Sequence, residues 1–228
     1  MLISLCTAVM NRLDDLRLTM PARIRAANES PPVRIGIYDY SSTDGLSEYM
    51  DELMEIAQLA PGNSIAYKYT SGKKYMHITK AWNAAIISFQ SEYFIKVDAD
   101  TIIMPGYIKA VREQIKEGAI WGNGEKCLNS LFCKLDYFIK IGGYDERFEF
   151  YGPDDKDFLC RLVLNGGKRG ELPRGLLNQI YTPDDKKVIN YRIKGTKHSL
   201  SRQMRHIYEE NMRNEVMVAN VGKDWGNG

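Results

Sequence analysis

The chain has 228 residues, of which 44% are hydrophobic and 26% are charged, a composition typical of a folded globular protein. Its 31 Lys and Arg against 29 Asp and Glu leave a formal net charge of +2. That balance argues against a general nucleic-acid binder, which neutralises phosphates with surplus positive charge. No apolar run approaches the roughly 20 residues of a membrane span, and the first residues lack the features of a signal peptide.

The four cysteines do not form a recognisable framework. They are Cys6, Cys127, Cys133 and Cys160, and the spacing of the middle two matches neither a zinc-binding CxxC pair nor a redox pair. We therefore expect four reduced thiols. Without an export signal, we also expect a cytoplasmic protein.

The first hundred residues alternate between strand and helix patterns. The predicted elements are strand 2–9, helix 14–28, strand 33–38, helix 46–59, strand 64–69, helix 75–90 and strand 93–97. Short connections between such elements produce βαβ units, and hence a mostly parallel sheet with helices on both faces. We predict a single compact α/β domain.

The pattern changes after Pro105. A helix is predicted at 106–118, a glycine-rich turn at 121–124 and a further helix that continues to Leu164. Apolar residues at helical spacing predict a terminal helix at 199–217, and residues 222–228 are expected to be frayed.

Polar residues follow three of the predicted strands, at 7–12, 39–44 and 98–100. Ligands of open α/β sheets bind beyond the carboxyl ends of the strands, so these residues predict a site. Asp98 and Asp100 repel each other unless a cation lies between them, and Mg²⁺ or Mn²⁺ prefers such oxygen ligands. The alternative is an ordinary helix cap or turn.

Two further groups are candidates for chemistry. Asp154, Asp155 and Asp157 begin a predicted helix, where they either stabilise its positive end or act on a sugar stacked against the preceding aromatic residues. One of these carboxylates could serve as a general base. His198 lies in a polar loop, where it is either a surface residue or a metal ligand.

The order of these segments resembles the family 2 glycosyltransferases, which have the Rossmann-like GT-A fold. The resemblance is carried by TAVMNR (7–12), YDYSSTDG (38–45), a helix with Asn83 and IKVDADT (95–101). The segment GGYDERFEFYGPDDKDFLCRL (142–162) resembles the catalytic block of the β-galactosyltransferase and chondroitin-synthase branches. The resemblance covers residues 2–162, and 163–198 more thinly.

The resemblance implies an inverting transfer of a sugar from a UDP-sugar to a hydroxyl of a saccharide acceptor. Asp155 would be the catalytic base, with Asp154 and Tyr151 at the acceptor. Mn²⁺ or Mg²⁺ would be held by Asp98, Asp100 and His198. The residues implied at the nucleotide sugar are Thr7, Asn11, Arg12, Asp39, Ser42, His77, Lys80, Asp98, Ala99 and Asp100.

Three positions depart from the family pattern. Tyr40 stands where a second Asp is common, and Trp82 stands where an Arg often precedes the helix Asn. The basic role toward the phosphates would then pass to His77 or Lys80. Asp154 replaces the Glu of the usual Glu-Asp pair, so the resemblance does not imply the identity of the acceptor.

The predicted organisation is a nucleotide-sugar half (1–102), an acceptor and catalytic half (103–198) and a C-terminal helix and tail (199–228). Two other functions are alternatives: a sugar-phosphate nucleotidyltransferase, for which a glycine- and lysine-rich loop near residue 10 is missing, and a non-catalytic carbohydrate-binding protein. The basic residues between Arg192 and Arg205 suit donor phosphates, an anionic acceptor, peripheral membrane contact or a solvated helix face.

Overall fold

A computed structural model describes residues 1–124 and 127–227. In chain order the elements are β1 (Ile3–Val9), α1 (Leu13–Glu29), β2 (Val33–Asp39), α2 (Leu46–Ile56), β3 (Ser64–Tyr69), α3 (Ile78–Ser88), β4 (Tyr93–Lys96), β5 (Thr101–Ile103), α4 (Tyr107–Lys116), β6 (Trp121–Gly124), β7 (Cys127–Lys134), α5 (Leu135–Lys140), α6 (Asp154–Leu164), β8 (Arg169–Glu171), β9 (Leu177–Gln179), α7 (Asp184–Val188) and α8 (Lys197–Arg213).

Within the described residues, the main sheet has seven strands in the order β3-β2-β1-β4-β7-β6-β8. The first four are parallel, as the predicted βαβ units require, and β7 runs antiparallel to both β4 and β6. A second, small sheet pairs β5 with β9 antiparallel. Because β1 and β4 are adjacent and parallel, their carboxyl ends emerge side by side.

Each face of the main sheet is covered by helices. Side chains alternate along β1, so that Cys6 and Ala8 point into one core while Leu5 and Val9 point into the other. The first core also holds residues of α3, α5, α6 and α8, and the second holds residues of α1, α2 and α4. This arrangement confirms the predicted α/β fold. No helix among the described residues is long and apolar enough to cross a bilayer.

The prediction of a turn at 121–124 was wrong, because these residues form the buried strand β6. A side chain at Gly122 would lie 2.5 Å from the ring of Phe132 and 2.7 Å from the carbonyl oxygen of Gly170. The glycine therefore lets β6 approach its neighbours closely. Such close approach is a common reason for a glycine within a strand.

The expectation of a frayed tail at 222–228 was wrong for Trp225 and Gly226, which contact the rest of the protein, and Gly228 lies outside the described residues. Trp225 packs edge-on against Phe138 with ring centroids 5.9 Å apart. The chain passes so close to Gly142 that a side chain there would meet the carbonyl oxygen of Ala219 at 2.0 Å. Gly142 and Gly143, which follow α5, thus leave room for the C-terminal residues to pack beside that helix.

A buried ion pair fixes α6, the helix that carries the acidic segment. Arg161 and Asp157 are both inaccessible to solvent, and their Nε and Oδ2 atoms lie 2.9 Å apart. Arg161 Nη1 donates to the carbonyl oxygens of Ile141 and Gly143, while Asn211 of α8 donates to Asp157 Oδ1 at 2.7 Å. Asp157 is thus a structural member of the acidic triplet.

We expect Arg161→Met to destabilise the protein by about 3 to 5 kcal/mol, because it leaves the Asp157 carboxylate buried without its ionic partner. Urea unfolding followed by circular dichroism measures this loss. The double variant Arg161→Met/Asp157→Leu should lose less, since an apolar pair removes the buried charge as well. A single variant within 1 kcal/mol of the native chain would contradict this role for the pair.

Candidate active site

One cavity of about 630 Å³ opens at the carboxyl ends of β1 and β4. Its walls come from the β1–α1 loop, the segment after β4, the start of α6, the segment 179–191 and one face of α8. Its charged side chains include Arg12, Lys96, Asp98, Asp100, Asp155 and Lys187. The topology therefore gathers residues far apart in sequence at the edge where ligands of such sheets bind.

The segment Asp98–Asp100 is held from beneath by α1. Arg23, which is fully buried, donates from Nη2 to the carbonyl oxygen of Asp98 at 2.7 Å. Thr19 donates to the carbonyl oxygen of Ala99 at 2.8 Å. These contacts fix the backbone, so that the two aspartate side chains are presented to the cavity.

Asp100 lies close to two cations. Its Oδ2 is 3.0 Å from Lys187 Nζ and 3.7 Å from an Nη atom of Arg12. Burial acts to raise the pKa of Asp100, but Lys187, Gln179 and Arg12 together outweigh it and hold the pKa below its usual value. Asp100 is thus a carboxylate at neutral pH, beside positive charges that could also meet an anionic ligand.

Lys96 is the residue that joins the two acidic groups of the cavity. It ends β4 and is buried, with Nζ 2.9 Å from Asp98 Oδ1 and 3.4 Å from Asp155 Oδ1. The same ammonium lies 4.2 Å from the centre of the Trp82 ring, a cation–π contact. Burial disfavours its charge, yet the carboxylates of Asp155 and Asp98 raise its pKa above the ordinary value.

Asp154 and Asp155 form the opposite wall, in the first turn of α6. Burial raises the pKa of both, and for Asp154 the neighbouring Asp155 charge raises it further. For Asp155, the Lys96 cation opposes the rise. Tyr151, just before them, also lines the cavity, and its ring lies 4.8 Å from Lys197 Nζ of α8. This wall combines a flat ring with hydrogen-bonding carboxyl groups.

A divalent cation fits the donor set of Asp98 and Asp100. Both carboxylates line the cavity, and Mg²⁺ is commonly held by one or two carboxylates together with substrate phosphates. His198 does not join them, because it is exposed at the start of α8 and its Nε2 lies 3.2 Å from Arg202. Among the described residues, no group of three or more His, Cys, Asp or Glu could hold a metal by itself.

Several residues implied at the nucleotide are bonded within the protein. Thr7 is buried and donates to the carbonyl oxygen of Val97 at 2.8 Å. Asp39 accepts from the Ser42 backbone N–H at 2.7 Å and from the Tyr67 hydroxyl at 2.7 Å. None of these side chains lines the cavity as the structure describes it. They shape the strand ends around it.

Asn11 links the β1 loop to two other segments. Its backbone N–H donates to Ser42 Oγ at 2.8 Å, and its side chain donates to Asn190 Oδ1 at 3.0 Å. The neighbouring residues Met10 and Arg12 line the cavity. Asn11 therefore holds the loop in place while Arg12 faces the ligand side.

His77 and Lys80 lie outside the cavity walls that the described residues form. His77 caps α3, where its Nδ1 accepts from the Lys80 backbone N–H at 3.4 Å. Burial, together with the nearby Lys80 charge, lowers the pKa of His77 to about 4. A neutral, capping imidazole is unsuited to the phosphate contact predicted for it, whereas Lys187, which sequence reasoning missed, lines the cavity.

The sequence comparisons identify the class of protein. Residues 4–132 match the family model of glycosyl transferase family 2, and residues 129–186 match that of the N-terminal domain of galactosyltransferase. Because the first match spans more than half of the chain, the chain belongs to glycosyltransferase family 2. This confirms the resemblance drawn from its motifs. No curated protein sequence matches the chain.

Solved structures share the fold. TarS from S. aureus is 14% identical with a TM-score of 0.65, over 82% of this chain and 38% of that one. Its residues 1–349 in complex with UDP are 13% identical with a TM-score of 0.65, over 94% of this chain and 72% of that one.

A second neighbour is the mannosyltransferase PcManGT from Pyrobaculum calidifontis, in complex with GDP-Man and Mn²⁺. It is 14% identical with a TM-score of 0.60, over 75% of this chain and 55% of that one. The chain thus spans well under half of full TarS and about half of PcManGT. At these identities the likeness establishes the GT-A fold.

The depressed pKa of His77 makes stability depend on pH. An unfolded histidine has a pKa near 6.5, so between about pH 6.5 and pH 4 the unfolded chain binds a proton at His77 that the folded chain does not. The stability from this group is full above pH 6.5 and is lost as the pH falls toward 4. Urea midpoints measured across this range should therefore fall on acidification.

His77→Asn keeps a good helix cap and removes the titrating group. We expect a flatter dependence of the urea midpoint on pH in this variant, while its stability at pH 7.5 stays close to that of the native chain. The same slope in both proteins would assign the acid sensitivity to other residues.

Proposed function

We propose that this chain is a metal-dependent, inverting glycosyltransferase that moves a sugar from a UDP-sugar to a hydroxyl of a saccharide acceptor. Membership of family 2 supplies the reaction class. The supporting observation is that one cavity holds both acidic groups, with Lys96 Nζ within 2.9 Å of Asp98 and 3.4 Å of Asp155. A donor bound beside Asp98 and an acceptor bound beside Asp155 would therefore lie next to each other in this cavity.

On the donor side, we assign the diphosphate to the cations beside Asp100. Arg12 and Lys187 both lie within ion-pair distance of its Oδ2, and in this proposal they replace His77 and Lys80. Asp39, at the end of β2, and Ser42, in the loop that follows, stay proposed on the nucleoside side, where they would shape the loop beside the cavity without lining it. A UDP donor accords with the UDP and UDP-GlcNAc complexes of the TarS fragment. GDP-mannose, which is bound in the PcManGT structure, is the donor to be tested against it.

The carboxylates of Asp98 and Asp100 are the proposed ligands of Mn²⁺ or Mg²⁺, and the Mn²⁺ complex of PcManGT accords with this. A metal ion bound there would neutralise charge that grows on the departing diphosphate. Within the protein, Lys187 and Arg12 supply further positive charge at the same place. His198 is left out of this ligand set, since it lies outside the cavity.

On the acceptor side, Asp155 is the proposed general base. The acceptor oxygen attacks the anomeric carbon, its proton passes to an Asp155 oxygen, and the bond from that carbon to the diphosphate breaks, leaving the electron pair on UDP. Because attack and departure take place on opposite faces, the anomeric configuration inverts. Asp154, whose pKa is raised well above its usual value, would donate a hydrogen bond to an acceptor hydroxyl, and Tyr151 would stack on the sugar.

We also propose the organisation and setting of this activity. Residues 1–102 form the nucleotide-sugar half and 103–198 the acceptor half, while Lys187 reaches back to the donor side. Among the cysteines whose side chains are described, Cys6, Cys133 and Cys160 are free thiols, which agrees with a reducing compartment such as the cytoplasm. The exposed bases of α8, including Arg202, are available for contact with an anionic membrane surface.

The carboxylate of Asp155 can be tested by Asp155→Asn, which keeps the shape and removes the base. We expect turnover to fall by about 10² to 10⁴, the usual contribution of a general base. UDP affinity should stay within a factor of about two. The assay is UDP release from a panel of UDP-sugars and GDP-mannose with simple saccharide acceptors and Mn²⁺.

That assay also separates the competing functions. A carbohydrate-binding protein would bind the saccharide without releasing UDP, and a nucleotidyltransferase would release diphosphate from a nucleoside triphosphate. Transfer by Asp155→Asn at the native rate would overturn the assignment of the base.

The donor site can be tested by calorimetry of UDP with and without Mn²⁺. Asp100→Ala should lose the gain in UDP affinity that Mn²⁺ provides, because one carboxylate ligand is removed. Lys187→Met should weaken UDP binding by about tenfold in both conditions, as expected for a lost charge-assisted contact of about 1.5 kcal/mol. The exposed Lys109 of α4 provides the control variant Lys109→Met. An Mn²⁺ effect on Asp100→Ala equal to the native one would overturn the metal assignment.

A further inference from the structure

The two oxygens of the Asp155 carboxylate are in different surroundings. Oδ1 lies 3.2 Å from the Tyr144 hydroxyl, which donates to it, and 3.4 Å from Lys96 Nζ. Oδ2 makes no hydrogen bond or ion pair with any side chain that the structure describes. Since Asp155 lines the cavity, the carboxylate is anchored by one oxygen and offers the other to a ligand.

Both anchoring groups are themselves held in place. Tyr144 is fully buried, and its ring stacks on Phe158 with centroids 4.5 Å apart and planes 22° apart. Lys96 is fixed by its buried position at the end of β4, by the Trp82 ring and by Asp98. Both donors are thus held by buried contacts, and together they fix the position of the Asp155 Oδ1 atom.

We propose that Lys96 and Tyr144 are positioning residues that hold Asp155 Oδ1, so that Oδ2 faces the acceptor hydroxyl and takes its proton. Lys96 further couples the two substrates, because the same ammonium touches Asp98 on the donor side. This inference rests on the proposed role of Asp155 as the base. It adds two residues that act through Asp155 and need not touch either substrate.

The same two contacts keep Asp155 in the basic form. Burial raises its pKa, whereas the Lys96 charge and the hydrogen bonds from Lys96 and Tyr144 lower it. The other charged or titratable groups that line its cavity are Arg12, Asp98, Asp100, Tyr151, Asp154, Lys156, Lys187, Tyr191, Lys197, Arg205, Tyr208 and Glu209. Removing either anchoring donor should therefore raise the pKa of Asp155 while these other groups are unchanged.

The direct experiment is a carbon-13 NMR titration of the aspartate carboxyl groups in the metal-free protein, with the Asp155 resonance identified by Asp155→Asn. We expect Tyr144→Phe to move the Asp155 titration to higher pH, and Lys96→Met to move it further. Tyr93→Phe and Lys134→Met are the controls. Tyr93 is a buried tyrosine bonded to the Ala119 carbonyl oxygen, and Lys134 is a partly buried lysine on β7.

Kinetics with a donor and acceptor pair found by UDP release provide the second readout. Tyr144→Phe should lower kcat by about tenfold to a hundredfold, as a misplaced catalytic group does, with KM for the donor unchanged. The acid limb of its kcat–pH profile should shift to higher pH, because Asp155 must be ionised to act. Tyr144→Phe removes one hydroxyl only, so it tests the inference even if Lys96→Met does not fold.

The outcomes distinguish this inference from the proposed function. If the native chain transfers sugar but the Asp155 titration and the acid limb are the same in Tyr144→Phe, Lys96→Met and the controls, the positioning role is overturned. If no donor is consumed by the native chain, the proposed function fails. The NMR titration then still decides whether Lys96 and Tyr144 orient Asp155.

Discussion

The site depends on one buried ammonium group. Without Lys96, the carboxylates of Asp98 and Asp155 would face each other across a partly buried region, where like charges disfavour joint ionisation. With it, each lies within ion-pair distance of a positive charge. The fold makes this possible because β4 lies near the centre of the sheet, between β1 and β7, and ends where α6 begins its first turn.

The two walls of the cavity are supported by different helices. The wall with Asp98 and Asp100 rests on α1 through Thr19 and Arg23, and the wall with Asp154 and Asp155 rests on α8 through Asp157 and Asn211. These supports belong to opposite faces of the sheet, since α1 packs in one core and α8 in the other. Asp98 and Asp155 thus lie where two separately packed layers meet, at the carboxyl edge of the sheet.

The sequence predicted the fold well and the site in part. Short apolar runs such as Val33–Tyr38 and punctuating glycines carry enough local information to predict parallel strands, and the family motifs singled out Asp98, Asp100 and Asp155, which the structure brings into one cavity. Strand β6 was not predicted because its glycines are typical of a turn, and the sequence does not show that the Phe132 ring lies beside them. The buried position of Lys96 was not predicted, because a lysine in a short strand is usually expected to be exposed to solvent. The surroundings of His198 depend on how α8 docks, which its own residues do not specify.

The segment between β9 and α8 crosses the strand ends and is held at both sides. Its Ile180 backbone N–H donates to the carbonyl oxygen of Asp100 at 2.8 Å, and its Asn190 side chain donates to that of Met10 at 2.7 Å. Residues late in the chain therefore complete a wall begun by the first strand. For protein engineering this means that randomising 180–190 would reshape the cavity beside Asp98 and Asp100, whereas the cavity-facing positions of α6 and α8 would reshape it beside Asp154 and Asp155.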